Sequence, residues 1–510
     1  MAHTIDDVIK KIGEFRQYQW YILGLIGYTM FSIIAFASMI VSFITAEPDW
    51  KCVEGYKNNT VCGFNNTITL TSDDYEARCK MPREAWTFVD DFTSAVTEYD
   101  LVCDDSILLS IAQSCFWIGM LVSFLIGGFL SDKFGRRLVW YGGCALVVVT
   151  TWIMIFPNAF LVFIVCRVFI GIGLGFVNCT FFPLLVEFTT ERYRSWMGAG
   201  SYVFWGVGIS ILPLIGFLVP EWRMFLLVTA IFAIPALFLS WLVPESPRWL
   251  LLNGKEEEAK KVLAKMARMN KRQLPDVVLE KPLTTETRMS FRQLFSSSKT
   301  SKKTLIFWNI VFANALVYYG VFYNSVDLGG NRYLNFFLVS VIEIPSNFIF
   351  LWSADRFGRK KCVLVTMVLA FIASAISVSI PVNQSSGSIV GRVTAAITAK
   401  FFINISFSGI YLWCVELYPT VIRSTALSTA SSVGSIGAFF STYIAWLIRI
   451  HAALPYSIMG IICLQAALLG LFLPETKGTP TKETMNDMET MNDTRVPCVN
   501  NNAYENEAAL

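Results

Sequence analysis

GGFLSDKFGRR, Gly127 to Arg137, returns as WSADRFGRKK, Trp352 to Lys361, and each copy lies between two apolar runs. Asp132 and Asp355, with the basic residues that trail them, therefore sit in short hairpins joining two hydrophobic helices. An acid, a turn glycine and a basic cluster in so few residues can cap helix ends and grip a neighbour by charge. Two more pairs repeat at nearly the same interval. VEFTTERYRS, with Glu187 and Arg194, matches VELYPTVIRS, with Glu416 and Arg423; PESPRW from Pro244 matches PETKG from Pro474. Positions 132 and 355, 187 and 416, 244 and 474 lie 223, 229 and 230 residues apart, so the chain reads as two homologous halves. A single Arg-rich hairpin would mean no more than a helix anchored at a membrane surface. Three ordered pairs mean duplication.

Hydrophobic residues make up 54% of the chain and charged residues 15%, and the mean hydropathy is +0.53, far from an ordinary soluble domain. Such a chain belongs in a bilayer. Two histidines, His3 and His451, with no C-x-x-C or H-E-x-x-H spacing, leave little from which to build a metal site. Gly254-Lys255 is followed by Glu256 in a charged segment, which is no phosphate-binding glycine loop. No nucleophile, metal or cofactor constellation points to an enzyme; no cofactor and no nucleic-acid partner is expected.

Apolar segments long enough to cross about 30 Å of hydrocarbon run near residues 20–45, 107–130, 138–156, 160–186, 196–219 and 223–243. Six more run near 304–325, 332–353, 362–381, 393–415, 425–448 and 454–473. Interior residues such as Gly173, Pro213 and Pro345 are tolerated where neighbouring helices re-satisfy the backbone. The expectation is an all-α membrane protein: a 20–243 half, a 304–473 half, and polar connections. Short loops on one side hold Lys133, Arg136, Arg137, Arg192, Arg194, Arg356, Arg359, Lys360, Lys361 and Arg423, while the opposite short loops are nearly free of base. By the positive-inside rule the hairpins and both termini are expected in the cytoplasm.

Residues 1–19 read as a cytosolic leader to an uncleaved first span. Residues 46–105 form a long polar loop on the expected extracellular side, where disulfides and glycans form. The loop holds Cys52, Cys62, Cys79 and Cys103, for which three pairings are open, and sequons at Asn58 and Asn65. Its thirteen acids against five bases make either an acidic vestibule or a solvated ectodomain. Residues 244–303, with fourteen bases and seven acids, form a cytoplasmic middle loop. In it KEEEAKKVLAKMARM sets Val262, Leu263, Met266 and Met269 along one helical stripe, expected against the underside of the bundle. Residues 474–510 form a cytoplasmic tail, polar and aperiodic, that reads as largely disordered.

The duplicated hairpins resemble those of the major facilitator superfamily, whose halves are parallel six-helix repeats. Three features narrow the resemblance: the Cys- and sequon-bearing first loop, PESPRWLL from Pro244 to Leu251, and ELYPTVIR from Glu416 to Arg423. Together they resemble the organic cation, organic anion and carnitine transporters of solute carrier family 22, over residues 1–480. VIEIPSNF, Val341 to Phe348, and LPETKG, Leu473 to Gly478, are most similar to the organic cation branch. The resemblance implies twelve transmembrane helices in two six-helix halves, with a large extracellular loop between the first two. It also implies a secondary transporter of small organic solutes in the plasma membrane.

An ionisable residue inside hydrocarbon is a functional candidate in its own right, because its charge is costly unless it meets water or a partner. Glu343 lies twelve residues before Asp355, about 18 Å up a helix and near the midplane. It calls for a cation, although pairing with Lys400 or Arg167 would also satisfy it. In the family, the matching glutamate is implicated in cation binding. Aromatic faces supply the second half of a cation site. FANALVYYGVFYNS, in the seventh predicted span, sets Tyr318, Tyr319, Phe322 and Tyr323 along one side of a helix. Tyr28, Phe31, Tyr202, Trp205, Phe407 and Tyr411 are further candidates, set against ordinary packing for any one of them. STASSVGSIGAFF in the eleventh predicted span departs from the family. At the position of Ser432 its cation transporters carry an aspartate and its anion and carnitine members an arginine, so Ser432 favours neither charge. With Glu343 acidic and Lys400 and Arg167 basic, the expected substrate is an organic cation or a carnitine-like zwitterion.

The expected mechanism is alternating access, with two halves rocking about a wet, negatively charged midplane pocket. Asp132, Arg136, Arg137, Glu187, Arg194, Asp355, Arg359, Glu416 and Arg423 are the expected gating residues, closing the cytoplasmic side by ion pairs. Organic anion exchange is the alternative transport reading. A non-transporting receptor or scaffold on the same fold is another, and the duplicated latches argue against it.

Overall fold

The computed structural model describes residues 4–54, 62, 64, 66–70, 72, 74–89, 91–156, 158–275, 291–381 and 385–477. A short helix, α1 (Ile5–Ile12), precedes the first membrane helix, α2 (Gln17–Ile44). The N-terminal half continues with α3 (Ile107–Phe134), α4 (Arg136–Met154), α5 (Phe160–Val186), α6 (Arg194–Leu218) and α7 (Trp222–Trp241). After a connecting helix, α8 (Glu256–Met269), the second half comprises α9 (Ser298–Ser325), α10 (Arg332–Phe357), α11 (Arg359–Ser379), α12 (Ser386–Leu417), α13 (Thr420–Trp446) and α14 (Leu454–Gly470). Eleven of these helices are long and apolar enough to cross a bilayer, and the shorter apolar α14 is the twelfth. Large side chains such as Leu125, Phe129, Phe238 and Phe472 remain exposed, as the outer surface of a bundle in lipid requires.

Helices α9 and α12 begin six and seven residues before the apolar runs predict. Their starts are set by caps that hydropathy does not register: Ser297 Oγ accepts the Thr300 amide and Ser385 Oγ the Ser388 amide. Helix α10 shows the opposite effect in its middle. Pro345 has no N–H to give the Val341 carbonyl, so regular bonding lapses at Ile342 and resumes at Glu343. The carboxylate thus stands at a break in a membrane helix.

Within each half α3 packs on α5, α4 on α5, α9 on α13, and α11 on α12; between halves α3 meets α13 and α6 meets α10. The end of the bundle carrying the long first connection is here termed the loop face, and the opposite end the hairpin face. At the loop face, β1 (Trp50–Cys52) and β2 (Trp86–Phe88) pair antiparallel, Cys52 opposite Trp86. Two disulfides, Cys52–Cys62 and Cys79–Cys103, resolve the three pairings left open by the sequence. Trp50, Tyr75, Trp86 and Val96 give this small domain its own core. The sequons at Asn58 and Asn65 lie outside the described residues.

At the hairpin face α1 is amphipathic, a property not read from the sequence of the leader. Its buried Ile5, Val8, Ile9 and Ile12 face the bundle. Helix α8 buries Leu263 and Met266, and the Asn270 side chain after it clamps the entry to α2. Asn270 Oδ1 accepts the Tyr18 amide at 2.9 Å, and its Nδ2 donates to the Ile12 carbonyl at 3.2 Å.

Candidate functional site

Glu343, 1% exposed, is enclosed by three elements. Oε1 accepts a hydrogen bond from the Tyr318 hydroxyl on α9 and lies 2.9 Å from Lys400 Nζ on α12; Oε2 accepts Trp205 Nε1 on α6 at 2.9 Å. The Trp205 contact carries the site across the boundary between the halves. Lys400 is fully buried, and its ammonium stands 2.9 Å from the Tyr318 ring centroid and 3.7 Å from that of Phe322. A carboxylate and two aromatic faces therefore form a box around an ammonium group, the arrangement that favours cations. The occupant is the protein's own lysine. Phe407 stacks on Tyr318 at 4.8 Å and Tyr411 lies tilted against Phe407 at 5.3 Å, extending the aromatic wall along α12.

The sequence predicts a wet, negative pocket. In this conformation the carboxylate is dry and its charge is balanced, because a buried lone carboxylate is far costlier than a paired one. Of the other expected residues, Tyr319 and Tyr323 meet Trp117 of α3: the Tyr319 ring lies 4.4 Å from it, and the Tyr323 hydroxyl accepts Trp117 Nε1 at 3.2 Å. Tyr202 and Tyr411 approach Tyr319 from the two halves. Ser432 turns its hydroxyl onto its own helix, donating to the Ser428 carbonyl at 3.0 Å, while its neighbour Ser431 bonds Tyr411. Phe31 packs elsewhere, between Tyr28 and Phe36. Trp117 was not singled out from sequence, since an indole in an apolar helix carries no signal until its N–H partner is known. Asn314, one turn from Tyr318 on α9, carries no signal in the sequence either, and both its amide atoms are buried without a hydrogen bond among the described residues.

The two hairpins are built alike. Arg136 Nη1 lies 2.6 Å from Asp132 Oδ1 and Nε 3.7 Å from Glu187; Arg359 Nη1 lies 3.5 Å from Asp355 and Nε 2.9 Å from Glu416. These four pairs each stay within one half, holding each hairpin to its own bundle. Arg194 opens α6 and Arg423 lies in the first turn of α13. Arg137 donates from Nη2 to the Trp241 carbonyl at 2.7 Å. Both hairpin glycines have positive φ, +104° at Gly135 and +95° at Gly358, and both make room for a carboxylate. A Cβ would lie 2.2 Å from Glu245 Oε2 in the first and 2.6 Å from Glu475 Oε2 in the second. Glu245 accepts the Arg136 and Arg137 amides at 3.1 and 3.2 Å, and Glu475 accepts those of Arg359 and Lys360 at 2.9 and 3.3 Å. Each thereby places an anion on a helix N-terminus. Burial pushes the Glu245 carboxyl up, and the bonded amides of Ser246, Arg137 and Arg136 oppose it. These glutamates stand in the repeated PES and PET motifs, whose sequence marks the duplication but not this contact.

The halves are joined toward the loop face. Ser110 Oγ donates to the Thr442 carbonyl at 3.3 Å, the Ser114 and Tyr443 hydroxyls are 3.0 Å apart, and Trp446 Nε1 donates to Ser106 Oγ at 3.1 Å. Glu47, buried at the end of α2, pairs with both Arg78 of the disulfide-bonded domain and Arg449 after α13. Arg78 also lies 4.1 Å from the centroid of the Tyr75 ring.

The family described as "Sugar (and other) transporter" matches residues 20–488. The organic cation transporter protein of Drosophila melanogaster is 28% identical, over 95% of this chain and 94% of its own length. Solute carrier family 22 member 7 of Rattus norvegicus is 33% identical, over 78% of this chain and 76% of its own length. The chain belongs to solute carrier family 22. Its fold matches that of the major facilitator superfamily proton:xylose symporter XylE bound to 6-bromo-6-deoxy-D-glucose, with a TM-score of 0.62 at 19% identity, covering 93% of this chain and 98% of that one. This solute carrier family 22 protein is thus a multi-pass membrane transporter and not an enzyme. Its box around Glu343 is made by α6 of one half and α9, α10 and α12 of the other.

Proposed function

We propose that this transporter carries small organic ammonium compounds, cations or zwitterions, across the plasma membrane by alternating access. The loop face is extracellular in this reading, and the hairpin face and both termini are cytoplasmic, in accord with the positive-inside rule. One observation carries the reading: an ammonium group sits against Glu343 and over the rings of Tyr318 and Phe322, and it is that of Lys400. A substrate amine takes the same seat by displacing the lysine. The exchange of one ammonium for another keeps the buried carboxylate paired throughout, and the displaced Lys400 ammonium turns to water or to the substrate's own carboxylate. For a cation, a potential of 100 mV supplies about 2.3 kcal/mol, enough to drive accumulation without a coupled ion.

Closure of the loop face by Ser106, Ser110, Ser114 and Glu47 matches one end state of such a cycle; the hairpins serve as the gate on the other side. The test is uptake of labelled choline, glycine betaine and benzoate by cells expressing the protein, with surface amount measured in parallel. Choline or glycine betaine uptake is expected, and Glu343→Gln should abolish it. Uptake of benzoate alone, indifferent to that substitution, would refute the reading. A second reading, organic anion exchange, is favoured by Lys400, which cancels the Glu343 charge.

A further inference from the structure

Arg167, seven residues into α5, is a buried cation for which the box around Glu343 has no use. It is 1% exposed, its Nη1 donates to the Ala37 carbonyl at 3.3 Å, and its guanidinium lies 4.6 Å from the centroid of the Phe116 ring. Nε and Nη2 have no hydrogen-bond partner, and among the described residues no carboxylate pairs with it. A guanidinium does not escape burial by losing its proton, so a full charge and two donors are enclosed at large cost. Nearby stand the Cys115 thiol and the Tyr323 hydroxyl. Tyr323 also lines, with Ser42, Thr45, Ser110 and Gln113, a cavity of about 70 Å³ that opens among the loop-face residues.

We infer that Arg167 is an anion-binding residue whose ligand is a small monoanion. That anion is either the carboxylate of a zwitterionic solute whose ammonium end goes to Glu343, or a free ion such as chloride. The planar fork of a guanidinium suits a carboxylate better than any other side chain would. Tyr318 touches Glu343 and Tyr323 neighbours Arg167, so both charged groups flank α9. This first source rests on the proposed function; the anion site itself does not.

Purified full-length protein would be unfolded thermally in sodium gluconate, in sodium gluconate with glycine betaine, in sodium formate and in sodium chloride, at equal ionic strength. Wild-type protein is expected to unfold at a higher temperature with at least one of the three small ligands than in gluconate alone. Arg167→Gln should lose that shift and, freed of an unpaired charge, should match or exceed wild type in gluconate. Absence of any shift in wild type, or an equal shift in Arg167→Gln, would overturn the site. Should Arg167→Gln fail to fold, Arg167→Lys keeps the charge without the fork, and an undiminished shift with formate and glycine betaine in it has the same force. Uptake then separates the sources. If the substrate carboxylate is the ligand, Arg167→Gln raises KM for glycine betaine about tenfold or more and spares choline. Equal effects on both, with a chloride shift present, identify the free ion. If wild type takes up neither compound, the proposed function fails while the unfolding shifts still decide the anion site.

Discussion

Lys400 occupies the seat that a substrate amine would take, and its removal leaves Glu343 buried without a counter-charge. Breaking such a pair from one side costs about 3–5 kcal/mol, whereas replacing both members by groups of similar shape can be nearly neutral. Lys400→Met is therefore expected to lower the unfolding temperature of the purified protein markedly, and Glu343→Gln with Lys400→Met to recover most of the loss. Strictly additive effects would show that the two residues are not coupled. Trp205→Phe keeps the ring but removes one hydrogen bond to a charged acceptor, worth about 1.5–3 kcal/mol. Glu343 and Lys400 were each visible in the sequence as charges inside apolar helices. That they face one another was not, because they lie 57 residues apart on helices whose relative rotation hydropathy leaves unspecified.

The hairpins belong to the scale of the element. Glu245 and Glu475 do the same work in the two halves, holding backbone amides at the starts of α4 and α11. Glu245→Gln and Glu475→Gln should each weaken the local structure by up to about 2 kcal/mol, read as faster hydrogen exchange at Arg137 and at Lys360. Exchange should rise only in the half that carries the substitution; a change in both would mean that the hairpins are coupled across the molecule. The repeat was legible as a string of matching letters, and so were the turn glycines. The carboxylates that those glycines admit were legible only as part of a motif, since the contact joins residues more than one hundred positions apart.

At the scale of the whole molecule, the two halves meet through a cluster of charges at the loop face. Burial pushes the Asp327 carboxyl up to about 6, against the pull of Arg332 and Arg449 and with Glu47 and Asp49 adding to the rise. When the loop face opens, Asp327 is solvated and its pKa falls back toward the ordinary carboxylate value of about 3.9. The closed form then binds more protons between those values, so lowering the pH from 7.5 to 5 favours closure. Spin labels at Asp104 and Ile450 should report a larger short-distance population at pH 5, and Asp327→Asn should hold it high at both pH values. A pH response that survives in Asp327→Asn would assign the effect elsewhere. Glu47→Gln, which weakens the pairs with Arg78 and Arg449 together, should enlarge the long-distance population at every pH. The number of membrane helices, their division into two repeats and the residues of the hairpins followed from the sequence alone, because hydropathy and duplication are properties of the chain read in order. Which cysteines pair, what fills the box beside Glu343 and why Arg167 meets no carboxylate among the described residues were decided by tertiary structure. Those outcomes depend on how helices turn toward one another, and a helix of apolar residues has almost no moment to fix that rotation until its neighbours are in place.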